Sequence, residues 1–387
     1  MTPIPDLLVG SVNEDKAARY HKQRRRAAVA GVAWSAGLLL VLALTPGSVW
    51  LRQLAGTVAA WQPGPSWLTP SATVAIYVSL LGVMHEGGAL LIGAYRLLLD
   101  RRYDLSTETG RAWLLDQLKA LGIGAALALP AFAALYLAIG RWPAGWWLVA
   151  GAGFVLLTIV LARLAPVVLL PIFFRFGPLE REGLRQRLLD LCQRAGVEVV
   201  DACVWQLSDR TRRANAALAG LGRTRRILVS DTLLAVAPDE EIEAVLAHEI
   251  GHHVRGDIWR GIALESAVAL GGFFLASRVL GWAWRPLGWT GVADVAGLPV
   301  LLLVAGLLSA LLLPLANAYS RRVERRADRF ALELTGNPAA FAGAMQRLAV
   351  LNLAEAEPSR LAVWLFHSHP PVAARIAAAR AWNPTEP

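Results

Sequence analysis

The chain has 387 residues, 56% of them hydrophobic and only 17% charged. Its mean hydropathy of +0.46, set against the roughly 25% charged residues of soluble globular chains, excludes an ordinary soluble domain and points to a membrane protein. The net charge of +9 sits mainly in basic segments between apolar runs, the pattern of cytoplasmic loops, and no nucleic-acid partner is expected.

Residues 1–26 are polar and end in His21, Lys22, Arg24, Arg25 and Arg26. The uncharged run Ala27–Leu44 is long enough for a membrane helix, and the absence of a small-x-small cleavage site after it favours a retained anchor over a signal peptide. Its basic flank places the N-terminal side in the cytoplasm. The stretch 48–70, with Trp50, Trp61, Trp67 and a single charge at Arg52, reads as a loop along the far membrane surface. Further spans are expected at about 71–98, 114–139 (with a kink at Pro130), 146–170, 261–282 and 297–316. His85, Glu86, Glu265 and Arg278 fall within spans, where ionisable groups face a protein interior or a wet cavity.

Composition changes after Phe173. Residues 179–195 have a helical pattern, 197–206 read as a strand and 214–230 as a hairpin. Cys192 and Cys203 have neither zinc-ligand spacing nor disulfide density and read as reduced core residues. The acidic group Asp239, Glu240, Glu241 and Glu243 after Pro238 marks a helix N-terminus. That helix carries His248-Glu249-Ile250-Gly251-His252.

Residues four apart on a helix differ by about 40° and one turn, so His248 and His252 share a face. Two imidazoles there suit one Zn²⁺, with Glu249 placed to take a proton from a metal-bound water. Catalytic zinc needs a third protein ligand. His253 points about 100° away from His252. Glu324, on a helix directly after the last span, is the best remaining acid, and Asp328 one turn on could hydrogen-bond a ligand histidine. Spacing alone does not separate this from a reading in which both acids balance Arg321, Arg322, Arg325 and Arg326.

His248-Glu249-x-x-His252 together with Asn317-x-x-Ser320-Arg321-x-x-Glu324-x-x-Ala327-Asp328 resembles the CAAX prenyl protease family of integral-membrane zinc metallopeptidases. The similarity extends over Arg101-Arg102-Tyr103, Trp113-x-x-Asp116-x-x-Lys119, Trp146-Trp147, Pro178-Leu179-Glu180, Asn215-Ala216, Asp231-Thr232-Leu233 and Ser368-His369-Pro370-Pro371-x-x-x-Arg375. It implies a mainly α polytopic membrane protein with about six transmembrane helices and a small α+β, gluzincin-type catalytic domain. The parts would be residues 1–173 (four spans), 174–258 (first catalytic part), 259–318 (two spans) and 319–387 (second catalytic part). It implies one Zn²⁺ per chain held by His248, His252 and Glu324, Glu249 as general base, and His369 contacting the substrate carbonyl or tetrahedral intermediate. An extended peptide or membrane-protein segment would add as a strand along Asn215, Ala216 and Ala217, with Arg375 also assigned to substrate. A wet intramembrane chamber and a bacterial inner-membrane location with a cytoplasmic catalytic domain are further implications. The chain departs from longer family members, which have seven spans, and carries Ala217 and His253 where some members have aromatics. Competing jobs are broad quality-control proteolysis, hydrolysis of a non-peptide amide, and a zinc-dependent membrane scaffold or transporter without hydrolase activity.

Overall fold

A computed structural model describes residues 12–61, 65, 68–220 and 224–383. Trp67, placed above on the far surface, lies outside them. Among the described residues, six helices are long and apolar enough to cross a membrane: Glu14–Leu44, Thr69–Arg102, Gly110–Arg141, Trp146–Phe173, Asp257–Ala283 and Val295–Thr335. All six expected spans thus have a helix beneath them, most running well beyond the apolar run at one or both ends.

In the N-terminal region α1 (Val12–Leu44), α2 (Gly47–Ala60), α3 (Thr69–Arg102), α4 (Gly110–Arg141) and α5 (Trp146–Leu164) follow one another. A π-turn at Ala165–Leu169 and the short α6 (Leu170–Phe173) extend α5. The expected far-surface loop is largely helical, which corrects that expectation. At 14 residues, α2 is about 21 Å long, short of the ~30 Å hydrocarbon thickness. Ser48 hydrogen-bonds Tyr77 and the Ala296 carbonyl at 2.6 Å each, and Arg52 pairs with Asp294. Trp50 and Trp61 remain exposed.

The charged part folds as α7 (Glu182–Arg194), α8 (Asp231–Leu234), α9 (Asp239–Val254) and a four-stranded sheet. The strands are β1 (Arg175–Pro178), β2 (Ala202–Gln206), β3 (Ala216–Ala219) and β4 (Arg226–Ser230), in the order β1-β2-β4-β3. β2 and β4 are parallel; the two outer pairs are antiparallel. The β3–β4 hairpin matches the expected one, whereas β2 begins five residues later than the sequence pattern suggested. β1, which holds Gly177 and Pro178, had no strand signature. After α10 (Asp257–Ala283), α11 (Leu298–Thr335) leaves the apolar zone and continues alongside α9. It is followed by α12 (Pro338–Leu351), α13 (Arg360–Phe366) and α14 (Val372–Arg380). One core joins α7, the sheet, α9, α12 and the end of α11 through Leu184, Leu188, Ile227, Ile242, Leu246, Ile250 and Phe341, all fully buried.

The basic end of α1 is tied to the end of α3 and to the segment after α12. Tyr20 donates to Asp100 at 2.7 Å, Arg24 pairs with Asp100 at 3.0 Å, and Arg25 grips both carboxylate oxygens of Glu355.

Candidate metal centre

Pro238 caps α9 and Asp239, Glu240 and Glu241 occupy its first turn, where carboxylates meet the positive helix end. One face of the helix is apolar and buried; the other carries His248, Glu249 and His252. α9 crosses α11 closely because Gly251 has no side chain. A Cβ there would lie 3.2–3.3 Å from Phe330 and the Ala327 backbone. That approach brings α9's histidines onto the carboxylates of α11.

His248, His252 and Glu324 each offer a ligand atom within 4.8 Å of the others. The two imidazole Nε2 atoms are 3.3 Å apart, and Glu324 lies 3.2 Å from His248 and 3.5 Å from His252. Both rings are held from behind: His248 Nδ1 by Asp328 at 2.8 Å and His252 Nδ1 by Asp257 at 3.1 Å. A carboxylate accepting from Nδ1–H fixes the tautomer whose Nε2 lone pair is free. Two lone pairs and a carboxylate therefore converge on one point, and buried Glu324 Oε2 has no hydrogen-bond donor. This donor set fits a divalent cation of the zinc type. Burial alone would lower the pKa of His248, but the carboxylates of Asp328 and Glu324 beside it outweigh burial and push it to about 9, so a proton competes with a cation for the Nε2 lone pair. The site thus draws in positive charge.

Glu249 is half-buried beside the ligands, and burial raises its carboxyl pKa against the opposing pull of His248 and His252. His369 Nε2 approaches Glu324 Oε1 to 3.3 Å, with 60% of its side chain exposed. Its segment is tied to α11: Asn317 donates to the Leu365 carbonyl at 2.9 Å, and Arg321 to the Val363 and His367 carbonyls at 2.9 and 2.7 Å. The Glu324 carboxylate beside Nε2 favours the tautomer with the proton on Nε2, facing the centre, and leaves Nδ1 to accept from Ser368 Oγ at 3.0 Å. Burial lowers this imidazole's pKa, so the ring is neutral at neutral pH.

Arg375 makes a contact that its sequence assignment did not include: its guanidinium forms a bidentate pair with Asp328 at 2.9 and 2.5 Å, so it steadies the carboxylate behind His248. Two partners were missed in the sequence. Asp257 follows Gly256, a left-handed residue at φ 65° that ends α9, so helical periodicity could not carry it to His252; five-residue proximity was the available signal. His253, set aside as a ligand, contacts the Leu218 carbonyl at 2.9 Å and fastens α9 to the edge strand.

β3 has β4 on one side and, among the described residues, no strand on the other. Ser230 N–H donates to the Asn215 carbonyl, so Asn215, Ala217 and Ala219 face β4. By the period of two, Ala216 and Leu218 face outward. His253 takes the Leu218 carbonyl, which leaves the Ala216 amide and carbonyl and the Leu218 amide for an added strand. Of the three predicted edge residues, Ala216 presents its backbone outward.

Fold and centre together define a polytopic membrane metallopeptidase in which the membrane helices and the catalytic half share α11. Residues 178–383 match the model of peptidase family M48, and residues 2–175 match that of the CAAX prenyl protease N-terminal region, five membrane helices. The chain belongs to peptidase family M48, and it is a membrane metalloprotease. It is 32% identical to the uncharacterized metalloprotease YhfN of Bacillus subtilis over 73% of this chain and 67% of that one. It is 25% identical to the CAAX prenyl protease 1 homolog of Caenorhabditis elegans over 86% and 84% of the two chains. The match to the probable CAAX prenyl protease 1 of Schizosaccharomyces pombe, at 24% identity, spans only 60% of that protein. The crystal structure of S. mikatae Ste24p superimposes with a TM-score of 0.85 at 22% identity, covering 98% of this chain and 91% of that one; this likeness concerns the fold.

Proposed function

We propose that this protein is a zinc metalloendopeptidase of the CAAX prenyl protease type, holding one Zn²⁺ per chain through His248, His252 and Glu324. The convergence of two oriented imidazoles on a carboxylate oxygen with no donor carries the reading. Bound there, Zn²⁺ supplies Lewis-acid polarisation of the scissile carbonyl and lowers the pKa of water toward neutrality.

The chain's own residues do the rest. A peptide lies along β3 as an added strand, hydrogen-bonded to Ala216 and the Leu218 amide. Glu249, its pKa raised toward the working range by burial, accepts a proton from the attacking water as the C–O bond forms. It then delivers that proton to the leaving nitrogen as the C–N bond breaks, giving an acid and an amine. His369 donates its Nε2–H to the developing oxyanion, a contribution of about 3 kcal/mol. Asp257 and Asp328 hold the ligand rings, and Arg375 holds Asp328.

Nearly all the loop arginines, with those at the end of α11, belong to segments on the side of the centre, which supports a cytoplasmic catalytic half in a bacterial inner membrane. The partners are a peptide or membrane-protein substrate and the bilayer itself. Metal analysis and a quenched-peptide assay on wild type and Glu249→Gln test the reading together. The expected result is one zinc in both proteins, with cleavage reduced about 10³-fold or more in the variant. Full cleavage by Glu249→Gln would sink the mechanism.

A further inference from the structure

The free edge of β3 is closed at both ends by side chains. Asn215 faces β4, with its amide donating to Ser230 Oγ and its carbonyl accepting from the Ser230 amide, 2.9 Å each. By the period of two, the backbone groups of Ala214, Ala216 and Leu218 point the other way. Asn352 accepts from the Ala214 amide at 3.0 Å and donates to the Ala214 carbonyl at 3.2 Å. One side chain thus takes both bonds that a neighbouring strand would make there. At the other end His253 Nε2 donates to the Leu218 carbonyl at 2.9 Å, and Gly220, at φ 103°, turns the chain away after Ala219. Between these stops remain the Ala216 amide, the Ala216 carbonyl and the Leu218 amide, which have no partner among the described residues. Ala216 is 4% exposed and Leu218 7%, so little water reaches these groups. Backbone groups shielded from water are costly until a partner arrives.

Both stops are firmly held. His253 follows the ligand His252 on α9, so the Leu218 stop rides on the helix that carries the metal ligands. Asn352 ends α12 and is followed by Leu353 at φ 51°, a left-handed conformation that leucine rarely adopts. Leu353 keeps it because its side chain is buried against Ala17, Tyr20, Leu99 and Leu105, which pins Asn352 in place. An added strand can then donate one N–H, to the Ala216 carbonyl, and accept two, from the Ala216 and Leu218 amides. In either strand direction those bonds fall within three consecutive residues of the incoming chain.

We propose that His253 and Asn352 are end stops that determine specificity along the peptide-binding edge: they confine the bound chain to one extended segment of three residues and require an N–H from only one of them. The substrate class is then a chain that is extended over that short segment and free to bend, or to carry proline, on either side of it. The same stops deny the edge to a long strand, the usual hazard of an unpaired sheet edge. The proposal rests on the strand-addition reading above and sets its length.

The test uses the full chain, zinc-loaded, in phosphatidylcholine nanodiscs. Wild type first maps the scissile bond of a quenched decapeptide. A set of the same peptide, fluorescently labelled and with one amide at a time replaced by an ester, is then bound to Glu249→Gln and followed by anisotropy. Each ester removes one N–H and little else; the scissile amide is kept. One position should lose about tenfold or more in affinity, the one whose N–H meets the Ala216 carbonyl, and the others should stay within about twofold. Adding His253→Leu frees the Leu218 carbonyl and should create a second sensitive position two residues from the first. Adding Asn352→Ala should create one two residues away on the opposite side. A merely structural role for either residue would shift all the peptides alike. The scan with both stops intact decides the matter if a variant fails to fold. Two or more sensitive positions spaced by two in that scan overturn the stops, as does an unchanged pattern in folded variants. No sensitive position at all overturns strand addition and the stops with it, while zinc-dependent cleavage by wild type leaves the peptidase reading intact.

Discussion

Two places in this chain set histidine beside glutamate with glycine three residues after the histidine: His248-Glu249 with Gly251, and His85-Glu86 with Gly88. Each glycine sits at a close helix approach. A Cβ on Gly251 would meet Phe330 and the Ala327 backbone, and one on Gly88 would strike the Trp34 ring. The surroundings differ. The His248 side chain is 8% exposed and held by Asp328 and Glu324. The His85 side chain is 42% exposed; Ser35 Oγ is 3.0 Å from its Nε2, and Glu86, its own neighbour, is 3.4 Å from its Nδ1. α9 repeats histidine one turn on at His252, whereas α3 has Ala89 there. What makes a metal centre is a second imidazole on the same face and carboxylates arriving from another helix. We propose that His85 and Glu86, with exposed Glu265 and Arg278, line a wet cavity within the membrane.

Glu324→Ala breaks the comparison most sharply. Zinc should fall from one per chain to near zero by elemental analysis, whereas His85→Ala should keep its full zinc. Loss of zinc from His85→Ala would erase the distinction. Asp328→Asn removes the partner of His248 and leaves Arg375 facing a neutral amide; zinc affinity should weaken about 10–100-fold in a chelator competition. Asp257→Asn should act in the same direction through His252. Gly251→Val drives branched carbons between α9 and α11, and thermal unfolding of the zinc-loaded protein should show a loss of about 1–3 kcal/mol.

The smallest effect lies at the first residue of α8. Burial alone would raise the pKa of Asp231, but hydrogen bonds from Ser208 Oγ and the amides of Leu207, Ser208 and Thr232 outweigh it and hold the carboxyl below its usual 3.8. A folded-state pKa below the unfolded value adds stability that is present above the unfolded pKa and lost as pH falls through the folded one. Asp231→Asn should therefore be less stable than wild type near neutral pH, and the gap should narrow as pH falls below about 4. Melting curves across that range check the sign.

What the sequence disclosed follows from which interactions are periodic. The spans and α9 are long and regular, so spacing carried them; Glu324 and Asp328 share the face of one continuous helix, so spacing nominated them and the motif resemblance decided their roles. α2 was hidden by Pro46 and Gly47 at its start and by its interfacial tryptophans. β1 was hidden by Gly177 and Pro178 in only four residues. Asp257 lies beyond the left-handed Gly256, where helix phase is lost. Arg375 was assigned to substrate because its motif was legible, whereas its bidentate pairing with Asp328 depends on how α14 docks against α11. Asn352 meets the start of β3 across 138 residues of chain, which no local pattern encodes.

The central claim is that α9 and α11 close a three-ligand zinc site with one position left open. Zinc K-edge absorption on the purified, zinc-loaded protein tests it most directly. Two imidazole nitrogens and one carboxylate from the protein are expected at about 2.0–2.2 Å, with one further light atom from solvent. In Glu324→Ala, zinc restored at high metal concentration should show the carboxylate replaced. Four protein ligands in the wild type, or a spectrum unchanged by Glu324→Ala, would contradict it.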